Sequence, residues 1–328
     1  MTLTPNPSGP GWLVAERTRL SRVLPDGSSD VITELPGLAG ELELRALERW
    51  ALVAERFGLR AVLIDLNSGA TRPYAREEYH ADVSSFSVAL LHLNGRVAVV
   101  LQTQWCRLDL FDAETGALLT DRQIIRREDG SSENFVDFFH SRLLVSPEHT
   151  RLVSNGWVWA PVDVLMAYRV QDFLERWEPS GTRFQGSGYN WDRPAAFVGE
   201  DSLIVALDRS EYAHWDNTEP HHPFALLDLR QPDEDGGLVV ERFLGPDFLS
   251  PDPEHGEVKG ELAFDEATGL VIATDAAKGS IAFDLDGEVR HEWPEFALGE
   301  GWRFFPERGC FARLIEAVGV EERATPIR

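Results

Sequence analysis

The sequence predicts an all-β fold built from one four-stranded meander repeated along the chain, and three observations predict it. Residues 86–123 read as short apolar runs separated by turn chemistry: Phe86 to Leu93, the pair Asn94-Gly95, Val97 to Leu101, a wetter loop with Gln104 and Trp105, Leu108 to Phe111, the turn Asp112 to Gly116, and a run from Leu118. Asn-Gly between apolar runs is a strong hairpin signal, so this stretch reads as one antiparallel meander. The string LVAER occurs at Leu13 and again at Leu52, each time followed by an apolar strand, a turn (Pro25-Asp26-Gly27; Asn67-Ser68-Gly69) and another strand. A large apolar residue followed by a polar one then returns at a single register: Ile64-Asp65, Phe111-Asp112, Tyr168-Arg169, Leu227-Asp228 and Phe283-Asp284. A repeated antiparallel unit buries its faces against its own copies, which is the logic of a β-propeller.

In chain order, residues 1–11 are rich in Pro and Gly and are expected as a flexible arm, residues 12–318 as a single β-propeller domain, and residues 319–328 as a C-terminal tail. Third strands are recognisable at VLIDLNSG (62–69), DLFDAETG (109–116), VLMAYRV (164–170), FALLDL (224–229) and IAFDLDG (281–287). Here the chain resembles WD40-type and YVTN-type propeller repeats, because this is where the WD dipeptide of that family falls. The match is to the repeat, over nearly the whole chain; no Trp fills that position and no Gly-His opens a blade. Full meanders fit between Glu41 and Phe296. The remaining pieces, Trp12 to Leu35 and GWRFFPERGCFARLIEA, are each short for a blade. The sequence therefore predicts a six-bladed β-propeller whose ring is closed by N- and C-terminal segments sharing a blade, which would cover both sheet edges. Seven blades is the alternative, with each terminal piece standing as its own sheet. The segment Glu41 to Phe57 also carries strong helix formers, with Leu44, Leu47 and Leu52 at helical spacing, but its LVAER copy favours strands.

Composition narrows the partners. The chain has 328 residues and a formal charge of −24, with a pI near 4.7. Nucleic-acid backbones and anionic membranes recruit cationic proteins, so neither is expected as a partner. Cys106 and Cys310 are the only cysteines and lack metal-ligand spacing, so no disulfide framework or zinc cluster is indicated. The opening MTLTPNPSGPG carries neither a basic n-region nor an apolar h-region, and a cytoplasmic location is expected.

With blade strands named a to d from the inside outwards, a–b and c–d turns lie on one side, and b–c loops and d–a crossovers on the other. The first set is mostly short. The second is long and aromatic: QTQWC carries Trp105, NGWVWAPVD carries Trp157 and Trp159, and DRSEYAHWDNTEPHHP carries Tyr212, His214, Trp215, His221 and His222. Among the crossovers, REEYHADVS carries Tyr79 and His80, and EPSGTRFQGSGYNWDRP carries Arg183, Tyr189, Trp191 and Asp192. Trp and Tyr supply large contact area at low entropic cost, so these loops are the expected binding face. The competing reading is that loop aromatics fold back to fill gaps between blades. Packing is favoured for Trp157 and Trp159, and a surface role for Tyr189, Trp191 and Asp192 in their Gly-rich crossover.

No nucleophile elbow, zincin helix, Walker loop or dinucleotide fingerprint occurs, and the sequence assigns no catalytic residue and no cofactor. His214, His221 and His222, beside Glu211, Asp216 and Glu219, are the densest potential metal ligands, but their spacing matches no metal motif, so no metal is assigned. The function expected is a non-enzymatic propeller binding a protein or peptide partner through the b–c and d–a loop face. The alternative is a small-molecule hydrolase or lyase at the mouth of the central channel, possibly metal-dependent, with His214, Asp192, Glu211 and His222 as acid–base candidates.

Overall fold

A computed structural model describes the chain except residues 121–136, 160–161, 176–180, 187, 209–221, 233–236, 253–256, 316–318 and 326–328, and the side chains of 175, 185, 231 and 232. Its strands form seven antiparallel sheets, each made of consecutive strands. The first contains β1 (Thr2–Pro5), β2 (Trp12–Ala15), β3 (Arg19–Val23) and β4 (Ser29–Glu34). The second contains β5 (Leu42–Leu47), β6 (Trp50–Glu55), β7 (Arg60–Asp65) and β8 (Thr71–Ala75), and the third β9 (Val88–Leu93), β10 (Arg96–Gln104) and β11 (Arg107–Asp112). The fourth contains β12 (Phe139–Val145), β13 (Arg151–Val158), β14 (Val162–Arg169) and β15 (Thr182–Gln185), with a short helix α1 (Asp172–Glu175) between the last two. The fifth contains β16 (Ala195–Phe197), β17 (Ser202–Ala206), β18 (Phe224–Pro232) and β19 (Leu238–Leu244). The sixth contains β20 (Glu261–Asp265), β21 (Leu270–Asp275), β22 (Gly279–Phe283) and β23 (Val289–Trp293), and the seventh β24 (Arg303–Phe305), β25 (Cys310–Ile315) and β26 (Gly319–Ala324). This is an all-β, seven-bladed β-propeller.

Six blades is therefore corrected to seven, and the two terminal segments do not share a sheet. Four residues within the expected arm, Thr2–Pro5, pair with Trp12–Ala15 and complete the first sheet. The tail expected from residue 319 opens with β26, paired along its length with β25. β1 was obscured by its four-residue length and terminal Pro5, and β26 by the charged run Glu321-Glu322-Arg323 at its centre. Fourth strands are poorly legible because burial falls outwards. β6 is buried at every position, whereas β8 alternates exposed and half-buried residues. That also explains LVAER, which marks β2 and β6, second strands covered on both faces and so read as continuous apolar runs. The helix alternative at Glu41 to Phe57 is not adopted: Leu42–Leu47 and Trp50–Glu55 form a hairpin.

The apolar–polar register has a local cause. Asp65 and Asp112 end a third strand and Asp284 directly follows one, and each accepts a hydrogen bond from a backbone amide of the turn that follows, at 3.0 Å from Asn67, 2.8 Å from Thr115 and 3.0 Å from Asp286, whereas Asp228 lies within β18 and accepts the Arg230 amide at 2.8 Å beside an irregularity of the strand pairing. The first three are Asx-type turns, in which the side chain closes the c–d connection. Arg169 cannot do this, and there the chain enters α1 instead. Asn94 (φ 50°) and Gly95 (φ 76°) both take the left-handed conformation that a two-residue type I′ hairpin requires.

The chain divides into two compact units, residues 1–160 with 166–181, and residues 161–165 with 182–328. In the first, apolar layers fill the spaces between the first and second, second and third, and third and fourth sheets. In the second unit, layers lie between the fifth and sixth and the sixth and seventh sheets. Among the described residues no helix is long and apolar enough to cross a membrane.

Candidate functional site

In the first unit the site is built on a buried arginine. Arg76 directly follows β8 and is 7% exposed. Its Nε donates to the Gly58 carbonyl at 2.8 Å, Nη1 to Gln102 Oε1 at 2.8 Å and the Ser85 carbonyl at 3.3 Å, and Nη2 to the carbonyls of Ala81 and Ser84 at 2.8 and 2.9 Å. Every one of these acceptors is neutral. Burial of the uncompensated charge pushes Arg76 down to about 10, while the Phe86 ring, 4.8 Å from the guanidinium carbon, gives it an electron-rich face. Gln102 extends the network, its Nε2 donating to the carbonyls of Trp105 (3.1 Å) and His140 (3.2 Å). The crossover after β8, the turn after β10 and the start of β12 are thereby tied to one another.

On this base stands a stack of aromatic rings. Phe139 lies between Trp105 and Trp157, with centroids 4.2 and 3.7 Å away and planes 29° and 9° from parallel. Trp159 stands at right angles to the stack, 5.3 Å from Trp157 at 85° and 5.5 Å from Phe139 at 89°. Tyr79 joins from the crossover, 5.8 Å from Trp105 and 5.9 Å from Phe139. The stack is held from below: Trp157 Nε1 donates to Ser84 Oγ at 2.9 Å, and the Trp105 amide to Glu77 at 2.5 Å. Trp157 is buried, Trp105 half-buried, and Tyr79 and Trp159 are 51% and 49% exposed. Of the residues singled out in the sequence, Trp105, Trp157 and Trp159 are brought together; Trp157 packs and Trp159 faces solvent.

In the second unit the crossover after β15 is organised differently. Arg193, 1% exposed, is paired with Asp163 and lies 3.5 Å from Asp208, and its Nη1 donates to the Ala206 carbonyl at 2.7 Å. Asp208 Oδ1 in turn accepts from Asn190 Nδ2 at 3.0 Å and from the Val258 amide at 2.8 Å. Asn190 is fully buried, and its neighbours Tyr189 and Trp191, whose rings touch at 5.9 Å, project the other way: Tyr189 is exposed, Trp191 half-buried. Asp192 and His222 are half-buried. Arg183 is exposed on β15, so part of the stretch expected as a crossover is a fourth strand. Tyr212, His214, Trp215 and His221, and with them Glu211, Asp216 and Glu219, lie outside the described residues. Trp302 is core: it is 4% exposed and packs on Phe296 at 4.9 Å.

Arg76, Gln102 and Phe139 were not legible as site residues. Arg76 opens an acidic crossover, where a basic residue reads as a surface charge, and Phe139 reads as half of an apolar strand start, Phe138-Phe139. The one available signal was Tyr79-His80, an aromatic pair in that crossover. Among the described residues, no group of three or more His, Cys, Asp or Glu side chains is placed to hold a metal ion.

No family model and no curated protein sequence matches the chain. Solved structures do. The crystal structure of BamB from Moraxella catarrhalis shares 13% identity with a TM-score of 0.54, over 98% of this chain and 84% of that one. A chain of the mitotic checkpoint complex shares 9% identity with a TM-score of 0.54, over 95% of this chain and 82% of that one. At such identities the likeness establishes the fold alone, a β-propeller.

Proposed function

We propose that the protein is a non-enzymatic β-propeller that binds a protein or peptide partner through the aromatic loops of its b–c and d–a connections. The observation that carries this reading is the ring stack of the first unit. It ends in two half-exposed aromatics, Tyr79 and Trp159, and is fixed by buried hydrogen bonds. Rigid aromatic anchors on a pre-ordered base are what a binding surface needs, since little side-chain freedom remains to be lost on association. The proposed surface in this unit comprises Tyr79, Trp105 and Trp159, with Trp157 packed behind them. In the second unit the proposed contact residues are Arg183, Tyr189, Trp191, Asp192 and His222. A cytoplasmic setting belongs to the same proposal, and cell fractionation tests it.

Affinity capture from the native host, with the wild-type chain beside a Tyr79→Ala/Trp159→Ala double variant, tests the surface. The double variant loses the co-purifying partner while keeping the wild-type melting temperature within a few degrees. Unchanged recovery by a folded double variant overturns the reading.

A further inference from the structure

We infer that the outer edge of β26 is an interface through which the chain pairs with a second copy of itself, the two β26 strands running antiparallel about a twofold axis at Glu322. The inference is independent of the aromatic loops and adds a second surface to them.

Third strands elsewhere are covered. β3, β7, β14, β18 and β22 each lie between two strands of their sheet. β11 has no fourth strand among the described residues, but residues 118–120 close its edge: the Leu119 amide donates to the Leu110 carbonyl at 2.7 Å, and the Leu110 amide to Thr120 Oγ1 at 3.1 Å. β26 takes the third place in the seventh sheet, and among the described residues its only strand neighbour is β25. An edge of this kind is a template for a further strand.

The ladder fixes which groups that edge offers. Thr325 donates its amide to the Gly309 carbonyl at 3.4 Å, one step beyond the pairing of Cys310 with Ala324. Opposed residues of an antiparallel ladder alternate between hydrogen-bonded and non-bonded pairs. Phe311–Arg323 and Arg313–Glu321 are therefore bonded pairs, and the main chain of Val320, Glu322 and Ala324 faces away from β25. A second β26 laid antiparallel, with Glu322 opposite Glu322, matches those three residues to the same three of the copy, Val320 against Ala324. It also sets Glu321 against Arg323 of the copy, and Arg323 against Glu321, at the non-bonded positions where side chains approach most closely. Arg323 is available for this, its side chain being 62% exposed. Glu321 already accepts from Arg313 at 3.0 Å and from Arg323 at 2.8 Å within its own chain, so the pairing extends a row of alternating charge across the joined sheets. Sliding the copy by two residues opposes Glu321 to Glu321 in one direction and Arg323 to Arg323 in the other. Sliding it by one sets outward main-chain groups against inward ones. Charge and hydrogen bonding thus select a single register, and it is self-complementary, as a twofold contact requires. Its one like-charged contact, Glu322 on the axis, is eased by Arg308 at 3.8 Å.

The test is sedimentation equilibrium of the full chain at concentrations up to about 0.5 mM, since so narrow a contact belongs to the weak class of interfaces. The wild type shows a reversible monomer–dimer equilibrium. Glu322→Pro removes an outward amide without breaking a β25–β26 hydrogen bond, and weakens dimerisation on the order of tenfold or more. Arg323→Glu and Glu321→Arg each oppose like charges and weaken self-association on the order of tenfold, and an equimolar mixture of these two variants restores it, because every opposed pair is then of opposite sign. A wild type that stays monomeric, its edge blunted by its own charges, overturns the inference. So does a dimer that Glu322→Pro leaves unchanged, or a mixture that associates no better than its components. Melting temperatures within a few degrees of wild type show that the variants fold, and Arg323→Lys, which keeps the charge, retains most of the association. Failure here leaves partner capture through Tyr79 and Trp159 untouched, and loss of that capture leaves the dimer untouched.

Discussion

Arg76 shows how one buried side chain can organise a surface it does not reach. Five hydrogen bonds to neutral oxygens replace the water a guanidinium would otherwise keep, and four of them fix backbone carbonyls of the surrounding loops. Replacing Arg76 by Leu leaves those carbonyls buried without a donor, and a loss of about 3 kcal/mol or more is expected in urea denaturation. Arg76→Lys keeps the charge but not the planar fork, and falls between. Arg193 differs in that its partners are carboxylates, so Arg193→Leu strands Asp163 and Asp208 as buried charges and should cost about 3–5 kcal/mol by the same measurement. Cys310 illustrates the opposite outcome. Burial, with the nearby Glu322 carboxylate, pushes its thiol up to about 12, so almost no thiolate exists at neutral pH. A thiol reagent at pH 8 should leave Cys310 unmodified in the native protein and label it in urea, read by mass spectrometry of the labelled peptide.

At the scale of the element, the recurring third-strand aspartate is a turn residue. Asp112 accepts both the Thr115 amide at 2.8 Å and the Thr115 hydroxyl at 3.0 Å. Asp112→Ala is expected to cost about 1–2 kcal/mol, as for the loss of a helix cap, and Asp112→Asn, which keeps an acceptor, less. Gly69 closes the equivalent turn of the second sheet with φ 71°, and a Cβ there would sit 2.8 Å from the Ile32 carbonyl oxygen. Gly69→Ala therefore combines an unfavourable backbone with a clash against backbone, and should lower stability by at least about 1 kcal/mol. Had these aspartates formed a functional repeat, alanine variants would lose binding without losing stability.

At the scale of the molecule, an acidic chain depends on how its carboxylates are held. Burial pushes the Glu55 carboxyl up, but the Arg60 guanidinium and the amides of Ala39, Arg60 and Leu59 outweigh it and hold it below its usual value. Burial likewise raises Asp275 and is outweighed by the amides of Ala277, Lys278 and Ser250, while the Thr115 amide leads in lowering Asp112. A carboxyl depressed in the folded state contributes stability that is present above its unfolded value, about 4, and is lost as pH falls through the folded value beneath it. Thermal melts should therefore change little between pH 8 and 5 and fall steeply only below about pH 4. A decline that begins near pH 6.5 would instead implicate the histidines.

The sequence by itself determined the all-β class, the repeated meander and the placement of the third strands. Each of these is local: an Asn-Gly turn, an aspartate closing the bend after it, or a second strand covered on both faces is written within a few adjacent residues. The number of sheets was decided only in three dimensions. A four-residue strand ending in Pro5, and a last strand rich in charge, carry no periodicity, and their identity comes from the partners they pair with. The site was divided in the same way. Trp105 and Trp159 could be read, but Phe139 between its tryptophans and Arg76 beneath them could not, because stacking and burial join residues distant along the chain.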